Sequence, residues 1–388
     1  MHRILTFLTV LCLPLGAALQ AGPPLPSNFE FYERYIGIDD ACAWPKLNVL
    51  PNGQLAVLIW PHNNHGATEG AAECWTSADN GVRWKKAGVP IPNPPGTNFI
   101  HFSAGAMGDS LIAIVGGMAE RPPYYEGARF APKNNVPFVT PNVPSRAAVS
   151  KDGGKTWTQV SGPLPKRPIA NTRYLTPFGR IGKLPSGAYG TVLYGDGVYF
   201  YTTQDGGANW GREGVIAEPR PDLPEGGIHN ESTWILLANG DLFAACRSYN
   251  SPAFMGAGGL DGFRSRDGGK TWKQEGALAL PNQFPADLTT MPDGRVLLTY
   301  ASRNTGSRSI WVRFGSPDAK AWSAPMMLVD LEGSGEGQYK GAPTDGGYPS
   351  TVVAADGTMV TVYYCRGVPS HQRYHMGVVR WRLPKAGT

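Results

Sequence analysis

Short apolar runs alternate with polar, glycine- and proline-rich punctuation along this chain, and the spacing of an amphipathic helix is almost nowhere sustained. One arrangement recurs: an apolar run, a tight turn, a second apolar run. It reads LNVLPNGQLAVLIW from Leu47, WILLANGDLFAACR from Trp234, LTTMPDGRVLLTYA from Leu288 and VVAADGTMVTVYY from Val352. Asn-Gly and Asp-Gly supply the positive φ angles of a two-residue hairpin turn, so each copy predicts two antiparallel strands. A second pattern is interleaved with the first along the chain. SADNGVRW (77–84), SKDGGKTW (150–157), TQDGGANW (203–210) and SRDGGKTW (265–272) share the form S/T-x-D-x-G-x-x-W, and a decayed SPDAKAW closes the set at 316–322. The Ser/Thr and Asp side chains cap backbone amides of a turn, the Gly takes a positive φ, and the Trp drops its ring between stacked sheets. These aspartates are therefore expected to be turn hardware rather than chemistry.

Used as a ruler, the repeats divide the chain into six units, at about 39–92, 99–165, 171–219, 228–281, 284–329 and 348–383; the last has no box. Units that cannot bury both faces alone close into a ring. The expected fold is all-β, a six-bladed β-propeller of four-stranded antiparallel blades, with residues 29–35 adding a strand to the last blade. Two stretches break the rhythm, 118–145 and 331–347, and loops of that length on a rigid scaffold often shape a binding site.

Composition agrees with this picture: 50 Gly and 35 Pro in 388 residues suit many short strands and turns, and closed β architectures use this much chain as one domain. A basic start (His2, Arg3), an apolar run over 4–15 and small residues after it read as a secretory leader, 1–21, followed by a single domain, 22–388. The run is too short to span a bilayer, and Cys12 lacks the lipobox context. The mature protein is expected to be secreted or periplasmic, monomeric, and not inserted in a membrane. Cys42, Cys74, Cys246 and Cys365 then remain, as disulfides or as buried thiols. A formal charge of +5, scattered along the chain, argues against a nucleic-acid partner and is compatible with an anionic small substrate. His62, His65 and Glu69 are too loosely spaced to define a metal site; no metal and no cofactor are expected.

The boxes, together with HNESTWILLANGDLFAACRS in unit four, SRNTGSRSIWVRFGSPD in unit five and GYPSTVVAADGTMVTVYY in unit six, resemble the exo-α-sialidase (neuraminidase) superfamily of aspartate-box (BNR) propellers. The resemblance covers nearly all of the mature chain. It implies an exo-glycosidase that releases terminal sialic acid, or a related acidic sugar, from glycoconjugates with retention. Because that sugar carries a carboxylate on its anomeric carbon, a neutral phenol attacks with less repulsion than a carboxylate. The resemblance places the nucleophile at Tyr348, its base at Glu231, and carboxylate-binding arginines at Arg247 and Arg308, with Arg303 as second choice for the latter. The general acid is expected on the first-unit loop WPHNNHGATEGAAECW, where Glu69 is the better candidate, with Glu73, Asp39 and Asp40 as alternatives.

Two positions depart from the family. Its first unit opens with Arg-Ile-Pro, where this chain has CAWPKL and Ala43 stands for the arginine; the Glu that steadies that arginine is replaced by Tyr364. Both partners are missing together, which avoids a buried unpaired charge and points to a rebuilt pocket. Lys46 or Arg34 are candidates to restore the cation. The departures also keep two other readings open: a propeller lyase or exo-hydrolase of uronate glycans, and a non-catalytic glycan-binding propeller.

Overall fold

In the computed structural model the described residues are 29–66, 68–117, 143–166, 174–219, 229–248, 258–304, 307–333, 345–368 and 370–384. The leader and most of the two long stretches lie outside them. Every regular element among the described residues is a β-strand.

The strands form successive antiparallel meanders. The first contains β2 (Cys42–Val49), β3 (Leu55–Trp60), β5 (Glu73–Ser77) and β6 (Lys85–Gly88) in that order. The chain then passes to the second meander beside a small parallel pair, β4 (Gly70–Ala71) with β7 (Asn98–Phe99). That second meander is β8 (His101–Met107), β9 (Ser110–Gly116), β10 (Arg146–Ser150) and β11 (Thr158–Gln159), and the third is β12 (Thr176–Lys183), β13 (Tyr189–Tyr194), β14 (Val198–Thr203) and β15 (Gly211–Ala217). A parallel bridge between Ala104 and Arg180 joins these two into one eight-stranded sheet, so the expected separation into four-stranded sheets is not observed here. Then come β16 (His229–Leu236), β17 (Leu242–Ser248), β18 (Gly259–Ser265) and β19 (Lys273–Ala277), succeeded by β20 (Gln283–Thr290), β21 (Val296–Asn304), β22 (Ser307–Gly315) and β23 (Met326–Gly333). The last sheet holds β24 (Asp345–Val353), β25 (Met359–Arg366) and β26 (His375–Arg382), and the N-terminal β1 (Phe31–Asp39) completes it by pairing with β26. No sheet closes on itself among the described residues. The first strands of the meanders nevertheless touch in cyclic order: β2 lies against β8, β8 against β12, β12 against β16, β16 against β20, β20 against β24 and β24 against β2.

The boxes staple this arrangement. Ser150 Oγ donates to Asp152 Oδ1 (2.8 Å) and accepts from the Gly154 amide (2.8 Å), and Trp157 Nε1 donates to the Gly154 carbonyl (2.9 Å). The same bonds recur around Asp205 and Asp267. Glycine is required because a Cβ on Gly269, at φ +103, would sit 2.4 Å from the Phe200 ring of the preceding meander. Each full box therefore both ends a hairpin and docks one sheet on its neighbour. The turn role expected of these aspartates matches the structure. The apolar clusters lie between neighbouring sheets; one joins Val192, Phe200 and Trp234 across the third and fourth.

Candidate active site

Five of the six first strands carry a register shift near their start: at Cys42/Lys46, Phe178/Gly182, His229/Ser232, Gln283/Ala286 and Gly347/Ser350. A bulge re-aims side chains that would otherwise alternate between sheet faces. Three of these bulges hold an aromatic residue followed by proline: Trp44-Pro45, Phe284-Pro285 and Tyr348-Pro349. Proline donates no ladder hydrogen bond, so within a sheet it belongs at such an irregularity. Tyr348 adopts φ +53, a left-handed conformation unfavourable for a bulky side chain, and backbone strain of this kind concentrates at functional sites.

At these bulges Tyr348 Oη donates to Glu231 Oε1 at 2.6 Å. Arg247 Nη1, from the adjacent strand β17, donates to Glu231 Oε2 at 2.6 Å and lies 3.5 Å from the phenol oxygen. All three side chains are buried. Burial works to raise the Glu231 pKa, but the Arg247 charge and the bonds from Tyr348 and Arg247 outweigh it and hold the carboxyl below its ordinary value. Burial and the Glu231 charge push the phenol of Tyr348 well above its ordinary value. The resting pair is thus a neutral phenol hydrogen-bonded to a carboxylate. Such a phenol attacks only as its proton moves to Glu231, over a bond that is already short.

One further guanidinium group, that of Arg303, borders the pair, and a second, that of Arg308, lies opposite it. Arg303 lies 5.2 Å from the centroids of both the Tyr348 and Phe284 rings, and Arg247 packs 4.1 Å from the Phe284 centroid. Arg308, opposite Arg303 in the β21–β22 ladder, is 1% exposed, and its Nε, Nη1 and Nη2 have no hydrogen-bond partner among the described residues. Its nearest acid is Asp345, with Nη1 3.6 Å from Oδ1. Asp345 also accepts from Tyr374 Oη (2.9 Å) and more weakly from Tyr364 Oη (3.5 Å), and His65 Nδ1 stands 3.7 Å from its Oδ2. Burial tends to raise the Asp345 pKa; His65, Arg303, Tyr374 and Arg308 together bring it below the ordinary carboxylate value.

The remaining wall is apolar. Cys42, Ala43, Trp44, Phe178, Tyr348, Tyr364 and Tyr374 belong to one buried cluster, and Trp44 stacks on His101 with ring centroids 4.8 Å apart. Neither candidate for a restored cation joins the Tyr348 hydrogen bonds. Arg34 Nε donates to Tyr363 Oη and its Nη1 to the Asp330 carbonyl, while Lys46 Nζ sits 3.5 Å over the Phe178 ring.

Of the residues expected from sequence, Tyr348, Glu231 and Arg247 come together directly, while Arg308 lies one step away, opposite Arg303 and next to Asp345. Glu69 is exposed on the loop after β3, and no hydrogen bond or ion pair ties it to the cluster. Glu73 accepts from Trp75 Nε1 and pairs with Lys86, and Asp39 and Asp40 pair with Arg373. The four described cysteines, Cys42, Cys74, Cys246 and Cys365, are buried and none forms a disulfide. Among the described residues no group of three His, Cys, Asp or Glu is arranged for a metal, and no helix is long and apolar enough to cross a membrane. Sequence reasoning missed Asp345 and the bulges, and weighed His65 only as a metal ligand. The repeated aromatic-proline pair was the available signal for the bulges; no motif flagged Asp345.

The fold is of a known class: an all-β, propeller-like fold of the sialidase type. The model of the family described as BNR repeat-like domain matches residues 136–362, and the chain belongs to that family. A protein of unknown function from Dyadobacter fermentans is 20% identical, with a TM-score of 0.69 over 91% of this chain and 98% of that one. The NanB sialidase of Streptococcus pneumoniae is 13% identical, with a TM-score of 0.60 over 93% of this chain and 71% of its own. An α-L-arabinanase of Penicillium chrysogenum is 14% identical, with a TM-score of 0.53 over 89% and 98%. No curated protein matches the chain. These neighbours support a glycoside-hydrolase-like propeller.

Proposed function

We propose that this protein is an exported, monomeric exo-glycosidase that removes a terminal sialic acid or related acidic sugar from glycoconjugates with retention. The cyclic order of the first strands supports a closed six-bladed propeller with four strands per blade. The observation that carries the function is the buried Tyr348–Glu231–Arg247 chain of 2.6 Å hydrogen bonds. Tyr348 is the nucleophile and Glu231 takes its proton. Arg247 and Arg308 bind the substrate carboxylate; the N–H groups of Arg308 make no hydrogen bond among the described residues and have one carboxylate at 3.6 Å, which favours a further anion there, since buried donors left unsatisfied are costly. The β3–β4 loop, which carries His65 and Glu69, supplies the proton for the leaving group.

The test is release of 4-methylumbelliferone from its α-N-acetylneuraminide and from conjugates of other nonulosonic acids. Wild type is expected to turn over, with Tyr348→Phe and Glu231→Ala reduced on the order of 10³-fold or more. Nuclear magnetic resonance should show the retained anomer forming first. No release above the two variants on any of these sugars sinks the reading, and unsaturated ends appearing on uronate polymers would replace it with a lyase.

A further inference from the structure

The Tyr348–Glu231 pair accounts for attack on the anomeric carbon but not for departure of the aglycone, which needs a proton donor on the solvent side of the phenol. Tyr348 is 2% exposed and Glu231 6%. The two more open titratable side chains of the cluster are His65, 14% exposed, and Asp345, 13%. Both border the same aromatic wall as Tyr348. The Trp44 ring lies 5.2 Å from the His65 ring and 5.3 Å from Tyr348, and the Tyr364 ring lies 5.8 Å from His65 and 5.7 Å from Tyr348. His65 and Tyr348 therefore share two aromatic neighbours, Trp44 and Tyr364.

We propose that His65 is the proton donor of this site and that Asp345 positions it. The inference rests on the glycosidase reading above and replaces Glu69 as the general acid. Nδ1 of His65 faces Asp345 Oδ2, which orients the ring and favours its protonated form. Asp345 is itself held from three sides, by Tyr374, Tyr364 and Arg308, so its carboxylate cannot swing away. Other groups facing His65 include the Cys42 thiol, whose Sγ is hydrogen-bonded to Nδ1 at 3.7 Å, and the rings of Trp44, Tyr364 and Tyr374; Arg366 stacks on Tyr374. Asp345 serves poorly as the acid because its neighbours keep it ionised. Glu69 lacks any contact that would hold it over the phenol.

The chemistry balances. Tyr348 Oη bonds to the anomeric carbon as its proton passes to Glu231 Oε1. The bond from that carbon to the aglycone oxygen breaks, its electron pair stays on the oxygen, and the oxygen takes a proton from His65 Nε2. A water molecule then gives a proton to His65 as its oxygen bonds to the anomeric carbon. Tyr348 Oη leaves with its electron pair and recovers its proton from Glu231.

The test uses two conjugates of N-acetylneuraminic acid, the 4-methylumbelliferyl glycoside, whose leaving group needs little protonation, and 3′-sialyllactose, whose leaving group needs much. His65→Asn should lose about 10²–10⁴-fold on sialyllactose and less than about tenfold on the fluorogenic glycoside. It should also lose the basic limb of the kcat/KM profile, which Glu69→Gln should retain. Equal losses on both substrates in His65→Asn, or a leaving-group-dependent loss in Glu69→Gln instead, overturn the proposal. A second readout needs no turnover: in protein labelled with 13C in the histidine rings, His65 should titrate at lower pH in Asp345→Asn than in wild type. An unchanged titration overturns the pair. If wild type cleaves neither conjugate, the acidic-sugar reading fails, and the titration alone decides whether His65 and Asp345 form a proton-donating pair.

Discussion

Replacing Lys46 by methionine should stabilise this protein. Lys46 is 7% exposed, and its ammonium lies over the Phe178 ring with its pKa lowered from 10.5 to about 8. Burial is the main cause; the charges of Asp287 and Glu231 offset part of it, and Arg180 adds to it. A depression of about 2.5 pKa units corresponds to roughly 3 kcal/mol by which folding disfavours the charged form. Methionine keeps the unbranched stem and removes the charge. The two carboxylates that attract Lys46 keep their own guanidinium partners, Glu231 with Arg247 at 2.6 Å and Asp287 with Arg180 at 2.8 Å. Lys46→Met should therefore gain about 2–3 kcal/mol near neutral pH. Because the folded pKa lies below the unfolded one, the unfolded chain binds more protons between about pH 8 and pH 10.5, so wild-type stability rises across that window. The advantage of the variant should then shrink to about 1–1.5 kcal/mol by about pH 9.5. Urea denaturation of both proteins at about pH 7 and pH 9.5 measures it. A variant less stable than wild type at both values, or a gap that does not move with pH, would refute the reasoning.

Asp287 is the hub under the site: its carboxylate accepts from Arg180 Nη2 (2.8 Å), Ser350 Oγ (3.0 Å) and the Thr351 amide (2.9 Å), tying three sheets together. Asp287→Ala strands the Arg180 charge and should cost about 3–5 kcal/mol in a denaturant melt; a loss under about 1 kcal/mol would show that the hub is not needed. Asp152, in a box turn, has its pKa lowered to about 2 by bonds from the Thr156 hydroxyl and amide, then from Ser150 and Lys155. Its contribution is complete above about pH 4 and fades as pH falls through about 2, so the difference in melting temperature between wild type and Asp152→Ala should narrow over that range. A constant difference contradicts the assignment.

The repeats made the fold legible because turns are local: an Asp, a Gly and a Trp within eight residues define each box without help from the rest of the chain. Hairpin signals at Asn52-Gly53 and Asp293-Gly294 likewise fall where β2 turns into β3 and β20 into β21. Tyr348, Glu231 and Arg247 were reachable because each sits at a strand start or end that the ruler locates. Asp345 and His65 were not. They are far apart in sequence, and the contact of β2 with the last sheet brings their neighbourhoods together. The joining of the second and third sheets through Ala104 and Arg180 was equally invisible, since no side-chain pattern encodes a single parallel bridge.

The composition of the wall shows how Ala43 and Tyr364 suit each other. Both are completely buried, and both contact aromatic neighbours in one cluster. An arginine at 43 would need a buried acid to neutralise it. Asp345, the acid of this cluster, is already engaged by Arg308, Tyr374 and His65. Tyr364 instead fills the space with a ring and turns its hydroxyl toward the same Asp345. Among the described residues the guanidinium groups against Tyr348, Arg247 and Arg303, come from β17 and β21, and Trp44, Phe178 and Tyr364 pack on its ring. On the proposed reading, an acidic sugar is gripped by its carboxylate from one side and packed on aromatic faces from the other. The ammonium of Lys46, confined over Phe178 beneath those faces, adds positive potential near Glu231 without reaching the Tyr348 hydrogen bonds, and that standing charge is what the Lys46→Met measurement weighs.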